Sequence, residues 1–105
     1  MKDAPQLVHV LQVLAVGTRV QIIRLLKGRT LCVGALSARL DVTQGAVSQH
    51  LRILREAGLV VPEKRGYYVH YRLNNKTLRR WKAAIDRLLE PGMPRGCSCS
   101  RKRQR

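Results

Sequence analysis

The chain has 105 residues, with 21 Lys or Arg against 6 Asp or Glu and a formal net charge of +15. That length suits one domain with one small core, built from Leu, Val, Ile and Ala because Phe is absent and Trp occurs once. The charge favours a polyanionic partner, and no apolar run approaches the ~20 residues that span a bilayer.

Residues 6–16 (QLVHVLQVLAV) predict a helix with Leu7, Val10, Leu11 and Leu14 on one stripe, apolar enough to pack against something outside its own core. Gly17 punctuates and Thr18 is placed to cap a second helix, residues 19–28, which Gly28 ends. Thr30 then caps a short helix over LCVGALSARL, with Leu31, Ala35 and Leu36 inward. After a tight connection at Asp41-Val42-Thr43, residues 43–57 (TQGAVSQHLRILREA) give the clearest pattern. Thr43 is the N-cap, and Val47, Leu51 and Leu54 form the stripe. Gln44, Ser48, Gln49, Arg52 and Arg55 lie off it. Leu59-Val60-Val61 predicts a short strand stopped by Pro62, and Glu63-Lys64-Arg65-Gly66 a charged turn. YYVHYRL, residues 67–73, alternates as the returning strand. Asn74 or Asn75 caps a last helix, 76–90, with Leu78, Trp81, Ile85 and Leu88 on one face. Residues 91–105 (PGMPRGCSCSRKRQR) have too little apolar content to fold alone and predict a flexible basic tail. The expected organisation is therefore a folded unit over 1–90 and a cysteine-containing tail over 91–105.

The resulting order, ααααββα, is that of an α+β winged helix-turn-helix. Helix 31–40 and helix 43–57 are the two arms of the helix-turn-helix, and the second has the length and polar outer face that a DNA major groove admits. Gln44, Ser48, Gln49 and Arg52 are the candidate base readers, since Gln pairs with adenine and Arg with guanine. Thr43 and the free N–H groups beside it can meet a phosphate. Lys64, Arg65 and Gly66 form the wing, able to lie along the backbone or reach a minor groove. His50 reads two ways, as a phosphate contact or as a brace against the core. His9 and His70 have no ligand spacing and read as surface or edge residues.

The stretch VTQGAVSQHLRILREAGLVVPEKRGYYVHYRL, residues 42–73, resembles the ArsR/SmtB family of winged-helix repressors. The matching residues are Ser48, His50-Leu51, Leu54, Ala57-Gly58-Leu59-Val60, Arg65-Gly66 and Tyr71-Arg72-Leu73, joined by Thr18-Arg19 through Leu26. The resemblance covers about residues 6–90. It implies a homodimer, with first and last helices at the interface, that represses double-stranded operator DNA and lets go when a metal or metalloid ion binds; the odd cysteine count and the lack of a signal-peptide pattern make a cytoplasmic location the expectation. Leu7, Leu11, Leu14, Leu78, Trp81, Ile85 and Leu88 are the expected interface residues.

Arsenic-sensing relatives carry Cys-Val-Cys on the helix before the recognition helix. Here the matching residues are Cys32-Val33-Gly34, so the second thiol is missing. Cys97 and Cys99 stand two residues apart on the tail and, with Cys32, supply three soft ligands. Three thiolates suit As(III) or Sb(III), the expected inducers, and no cofactor is needed for DNA binding itself. Cadmium and lead are also thiophilic and stay open, whereas the last helix lacks the histidine that a zinc site there calls for. Two alternatives stand beside this reading. Basic neighbours at Arg95 and Arg101 favour thiolate at the tail pair, which suits a thiol-based redox or sulfur-responsive repressor. A basic RNA-binding or ribosome-associated protein is the alternative of another class. An enzyme is not expected: acids are few, none has a histidine at catalytic spacing, and no phosphate-binding glycine loop occurs.

Overall fold

A computed structural model describes residues 4–92 and Gly96, and the rest of the expected tail, with Cys97 and Cys99, lies outside these described residues. Five helices and three short strands follow in the order α1 (Ala4–Leu14), α2 (Gly17–Leu26), β1 (Leu31–Cys32), α3 (Val33–Leu40), α4 (Gln44–Glu56), β2 (Val60–Arg65), β3 (Tyr68–Leu73) and α5 (Asn75–Leu89). The expected winged helix-turn-helix is present, with one strand more than the sequence predicts.

Each helix contributes to one aliphatic core. Val10 and Val13 of α1, Ile22 and Leu26 of α2 and Leu36 of α3 are buried. They meet Val47, Leu51 and Leu54 of α4, Leu59, Val60 and Leu73 of the hairpin and Trp81 of α5. Two caps fall where the sequence places them. Thr43 Oγ1 accepts from the Ala46 N–H at 3.1 Å, and Asn74 Oδ1 accepts from the N–H groups of Lys76 and Thr77. These bonds satisfy first-turn donors that have no partner within the helix.

Four local expectations are corrected. α2 starts at Gly17 behind Val16, with no side-chain cap, so Thr18 lies inside the helix. Leu31-Cys32 is not the first turn of a helix capped by Thr30. It is the strand β1, and α3 begins at Val33 with Cys32 as its N-cap residue. The cause is a partner far along the chain: Leu31 pairs with Tyr71 and Cys32 with His70 on β3. Pro62 does not stop β2, which runs on to Arg65. The sheet order is β1-β3-β2, so β2 is an edge, where alternate N–H groups stay outside the ladder and a proline is tolerated. Glu63, Lys64 and Arg65 are therefore strand residues, and the turn itself is Gly66-Tyr67, closed by the Arg65–Tyr68 pair. Gly66 at φ +64° supplies the left-handed first position of a two-residue hairpin turn.

The turn between α3 and α4 is short and cross-braced. Asp41 takes φ +56° at the end of α3, a conformation that Asp tolerates better than most residues. The Val42 N–H returns to the Ser37 carbonyl at 3.4 Å, and the Ser37 hydroxyl donates to the Val42 carbonyl. These bonds fix how α4 leaves α3.

Candidate nucleic-acid interface

Helix α4 buries one side and presents the other. Val47, Leu51 and Leu54 are fully covered, while Thr43, Gln44, Ser48, Gln49, Arg52 and Arg55 are exposed. Gln44, Ser48 and Arg52 follow one another at intervals of four, which puts them on adjacent turns of one face. Their freedom differs. The Arg52 guanidinium lies 3.5 Å from the Glu56 carboxylate, with both side chains about two-thirds or more exposed. An exposed pair of this kind is worth well under ~1 kcal/mol, so Arg52 is readily released to another acceptor.

The wing stands beside this helix. Tyr71 of β3 shares a cleft of about 510 Å³ with Ser48, Arg52, Arg55 and Glu56 of α4. Neither Arg55 nor Tyr71 is among the candidates from the sequence. Arg55 shows there only as a residue off the apolar stripe, and Tyr71 as one position of an alternating strand and of the Tyr71-Arg72-Leu73 match. At the outer end, Lys64, Arg65 and Gly66 are exposed, as is Tyr67 beyond them. Glu63 is the one acid here, taking Arg65 at 3.1 Å and Arg72 at 2.6 Å. Hydrogen bonds from Arg72 and then Arg65 hold its carboxyl below the ordinary value. Lys64 and Arg65 thus differ: Arg65 is tethered to Glu63 along the strand, whereas Lys64 makes no ion pair among the described residues.

His50 is half-buried and turned toward α2, where its Nδ1 accepts from Arg19 Nε at 3.3 Å. Desolvation, and then the Arg19 charge, lower its pKa, so it is a neutral acceptor in this arrangement. Of the two readings open in the sequence, this geometry is that of the brace.

The inducer candidates divide. Cys32 is a free, half-buried thiol at the junction of β1 and α3. A Cβ at Gly34 would stand 4.0 Å from its Sγ and 3.8 Å from Gln44 Nε2, so the position matching the missing thiol faces both Cys32 and the first residue of α4. Across the ladder from Cys32 is His70, whose buried Nδ1 has no hydrogen-bond partner among the described residues. The sequence treats His70 as an edge residue, and only the β1–β3 register brings it opposite the cysteine. Among the described residues no three His, Cys, Asp or Glu side chains come together as a metal cluster.

The expected interface residues are spread from core to surface. Trp81 is 8% exposed and belongs to the core of its own chain. Leu7 is half-buried, and Leu14, Leu78 and Ile85 line, with Trp81 and Ile23, a groove of about 520 Å³ between α1, α2 and α5. Leu11 and Leu88 are outside it, 38% and 51% exposed, with Val8 and Leu89 also uncovered. Among the described residues no single helix is long and apolar enough to cross a membrane.

Comparison with known proteins agrees with this geometry. Residues 17–61, from α2 into β2, match the family model described as bacterial regulatory protein, arsR family. The arsenical resistance operon repressor of Escherichia coli K12 is 40% identical over 79 residues, which make up 74% of this chain and 67% of the relative. A solved structure of a possible transcriptional regulator for arsenical resistance superposes with a TM-score of 0.73 at 38% identity, covering 78% of this chain and 85% of that one. Reduced HlyU from Vibrio cholerae N16961 gives a TM-score of 0.70 at 36% identity, covering 86% and 95%.

Proposed function

The chain belongs to the arsR family of bacterial regulatory proteins, DNA-binding transcriptional regulators and not enzymes, and from that premise we propose that it is a cytoplasmic homodimeric repressor released by a thiophilic metalloid. The folded unit, residues 1–90, binds operator DNA, and the tail, 91–105, brings Cys97 and Cys99 to Cys32. As(III) or Sb(III) is the inducer and takes three thiolates. The observation that carries this reading is the place of Cys32. It starts the helix that supports α4, and it pairs in the ladder with the strand of the wing. An ion drawn to its sulfur acts on both DNA-contacting elements at once. The names of two similar proteins, both concerned with arsenical resistance, support the choice of ion.

The bound state is a dimer whose two α4 helices enter successive major grooves ~34–36 Å apart. Thr43 meets a phosphate, and Gln44, Ser48, Gln49 and Arg52 read bases. Gln49→Ala or Arg52→Ala is expected to lose about 1–3 kcal/mol of discrimination between operator and altered operator. Lys64→Ala and Arg65→Ala weaken all sequences alike and each lower the salt slope by about one. Equilibrium titrations over a salt series check both; an Arg65→Ala protein with unchanged affinity and slope would remove the wing from the interface.

Induction is tested by releasing reduced protein from its operator with arsenite, antimonite, zinc, cadmium or a mild oxidant. Arsenite release is expected to be lost in Cys32→Ser and Cys99→Ser and kept in Ser98→Ala. X-ray absorption should count three As–S bonds in the wild type and two in Cys32→Ser. Undiminished arsenite release of Cys32→Ser would end its role. A redox version of the same switch, with Cys32 joined to a tail thiol, is favoured by one observation: a close structural match is a protein solved in a form named as reduced. Release by oxidant without arsenite binding would select it.

A further inference from the structure

Arg19, the partner of His50, joins three helices. It lies in the first turn of α2. Its Nε donates to His50 Nδ1 on α4 at 3.3 Å, and one terminal nitrogen, Nη1, donates to the Val13 carbonyl near the end of α1 at 3.1 Å. Val13 O is one of the last four carbonyls of α1, which have no acceptor role within the helix. One guanidinium thus closes the end of α1 and holds the recognition helix.

The chemistry suits a fixed joint. Guanidinium is planar, always charged and only a donor, so two of its three nitrogens reach two acceptors in a set geometry. Lysine offers a single donor centre and cannot span both. Val13 itself is buried, so the α1 end of the joint has little room to shift. His50 is flanked in sequence by Gln49, a candidate base reader, and by Leu51, which is buried in the core. A rotation of α4 that breaks the Arg19 bond also turns the reading face.

We propose that Arg19 is a positioning residue for operator reading, setting the angle of α4 against α1 through His50 and the Val13 carbonyl without touching DNA. The inference rests on DNA binding by α4 but not on the identity of the inducer. It separates Arg19 and His50 from phosphate contacts, which a basic residue and a histidine near DNA would otherwise suggest. A phosphate contact adds to binding of every sequence and to its salt dependence. A joint adds to discrimination alone.

The test is a salt series of titrations of the full chain with operator and with non-specific duplex. His50→Leu is expected to lose about three- to tenfold in operator affinity, the size of one lost hydrogen bond, with non-specific affinity and salt slope unchanged. His50→Asn keeps an acceptor oxygen near the position of Nδ1 and is expected to restore operator affinity. Arg19→Gln should cost less in the His50→Leu background than in the wild type, because the two residues act through one bond. Arg19→Lys, the mildest change, should give an intermediate loss and serves if His50→Leu does not fold. A salt slope reduced by about one in Arg19→Gln or His50→Leu would overturn the proposal in favour of a direct phosphate contact. Equal losses on operator and non-specific DNA, or full operator affinity in Arg19→Lys and Arg19→Gln, would overturn it as well. Failure of α4 as the reader is distinguished by Gln49→Ala and Arg52→Ala leaving discrimination intact.

Discussion

Leu54→Ala is expected to destabilise the protein by about 2–5 kcal/mol. Leu54 is fully buried on the last turns of α4, in one core with Ile22, Leu26, Leu36 and Leu59. Truncation removes three carbons and leaves a hole bordered by several elements, none of which can move in without dragging another. Small domains have about 5–15 kcal/mol of stability in all, so the loss is a large share of the total. Urea unfolding should show a lower midpoint at unchanged slope. Gln49→Ala, on the exposed face of α4, should change the midpoint little. Equal midpoints for Leu54→Ala and the wild type would mean that α4 is not anchored as described.

Leu11→Asp, or Leu88→Glu, is expected to abolish association and to lower operator affinity by more than a hundredfold. Leu11 and Leu88 are exposed on α1 and α5, two of the helices that form the apolar groove, and a carboxylate there loses its water when a second chain covers it. A monomer reads one half-site, so the second half-site no longer contributes as a linked, effectively intramolecular event. Both positions are on the surface of the single chain, so folding is spared, which circular dichroism should verify. Sedimentation checks the mass, expected at about twice 11.9 kDa for the wild type and at the chain mass for the variants. A wild type that stays monomeric at micromolar concentration would contradict the dimer reading.

Helices were legible in the sequence because their signals are local. The stripe of Val47, Leu51 and Leu54 with Thr43 before it defines α4 within one residue, and Asn74 does the same for α5. β1 was not legible. Two residues carry no periodicity, and Leu31-Cys32 becomes a strand only through Tyr71 and His70, about forty positions later. The same distance hid the approach of His70 to Cys32. It hid Arg19 too: nothing local shows that a residue opening α2 bonds a histidine 31 positions on. The polar face of α4 was readable residue by residue, but not that Arg52 rests on Glu56 or that Tyr71 closes the cleft beside it. Trp81 shows the limit of a stripe. It marks an apolar face correctly, yet the face serves the chain's own core as well as whatever lies outside.

The edge position of Pro62 has a consequence for solubility. An open strand edge offers unpaired amides to any other strand and is a seed for runaway stacking between molecules. β2 interrupts that row of donors at Pro62 and then carries Glu63, Lys64 and Arg65 in succession. The opposite edge, β1, is two residues long and leads directly into a helix. Neither border of the sheet is a good template for a foreign strand. The wing can therefore stand beside α4 without offering its strand edges to another copy of the chain.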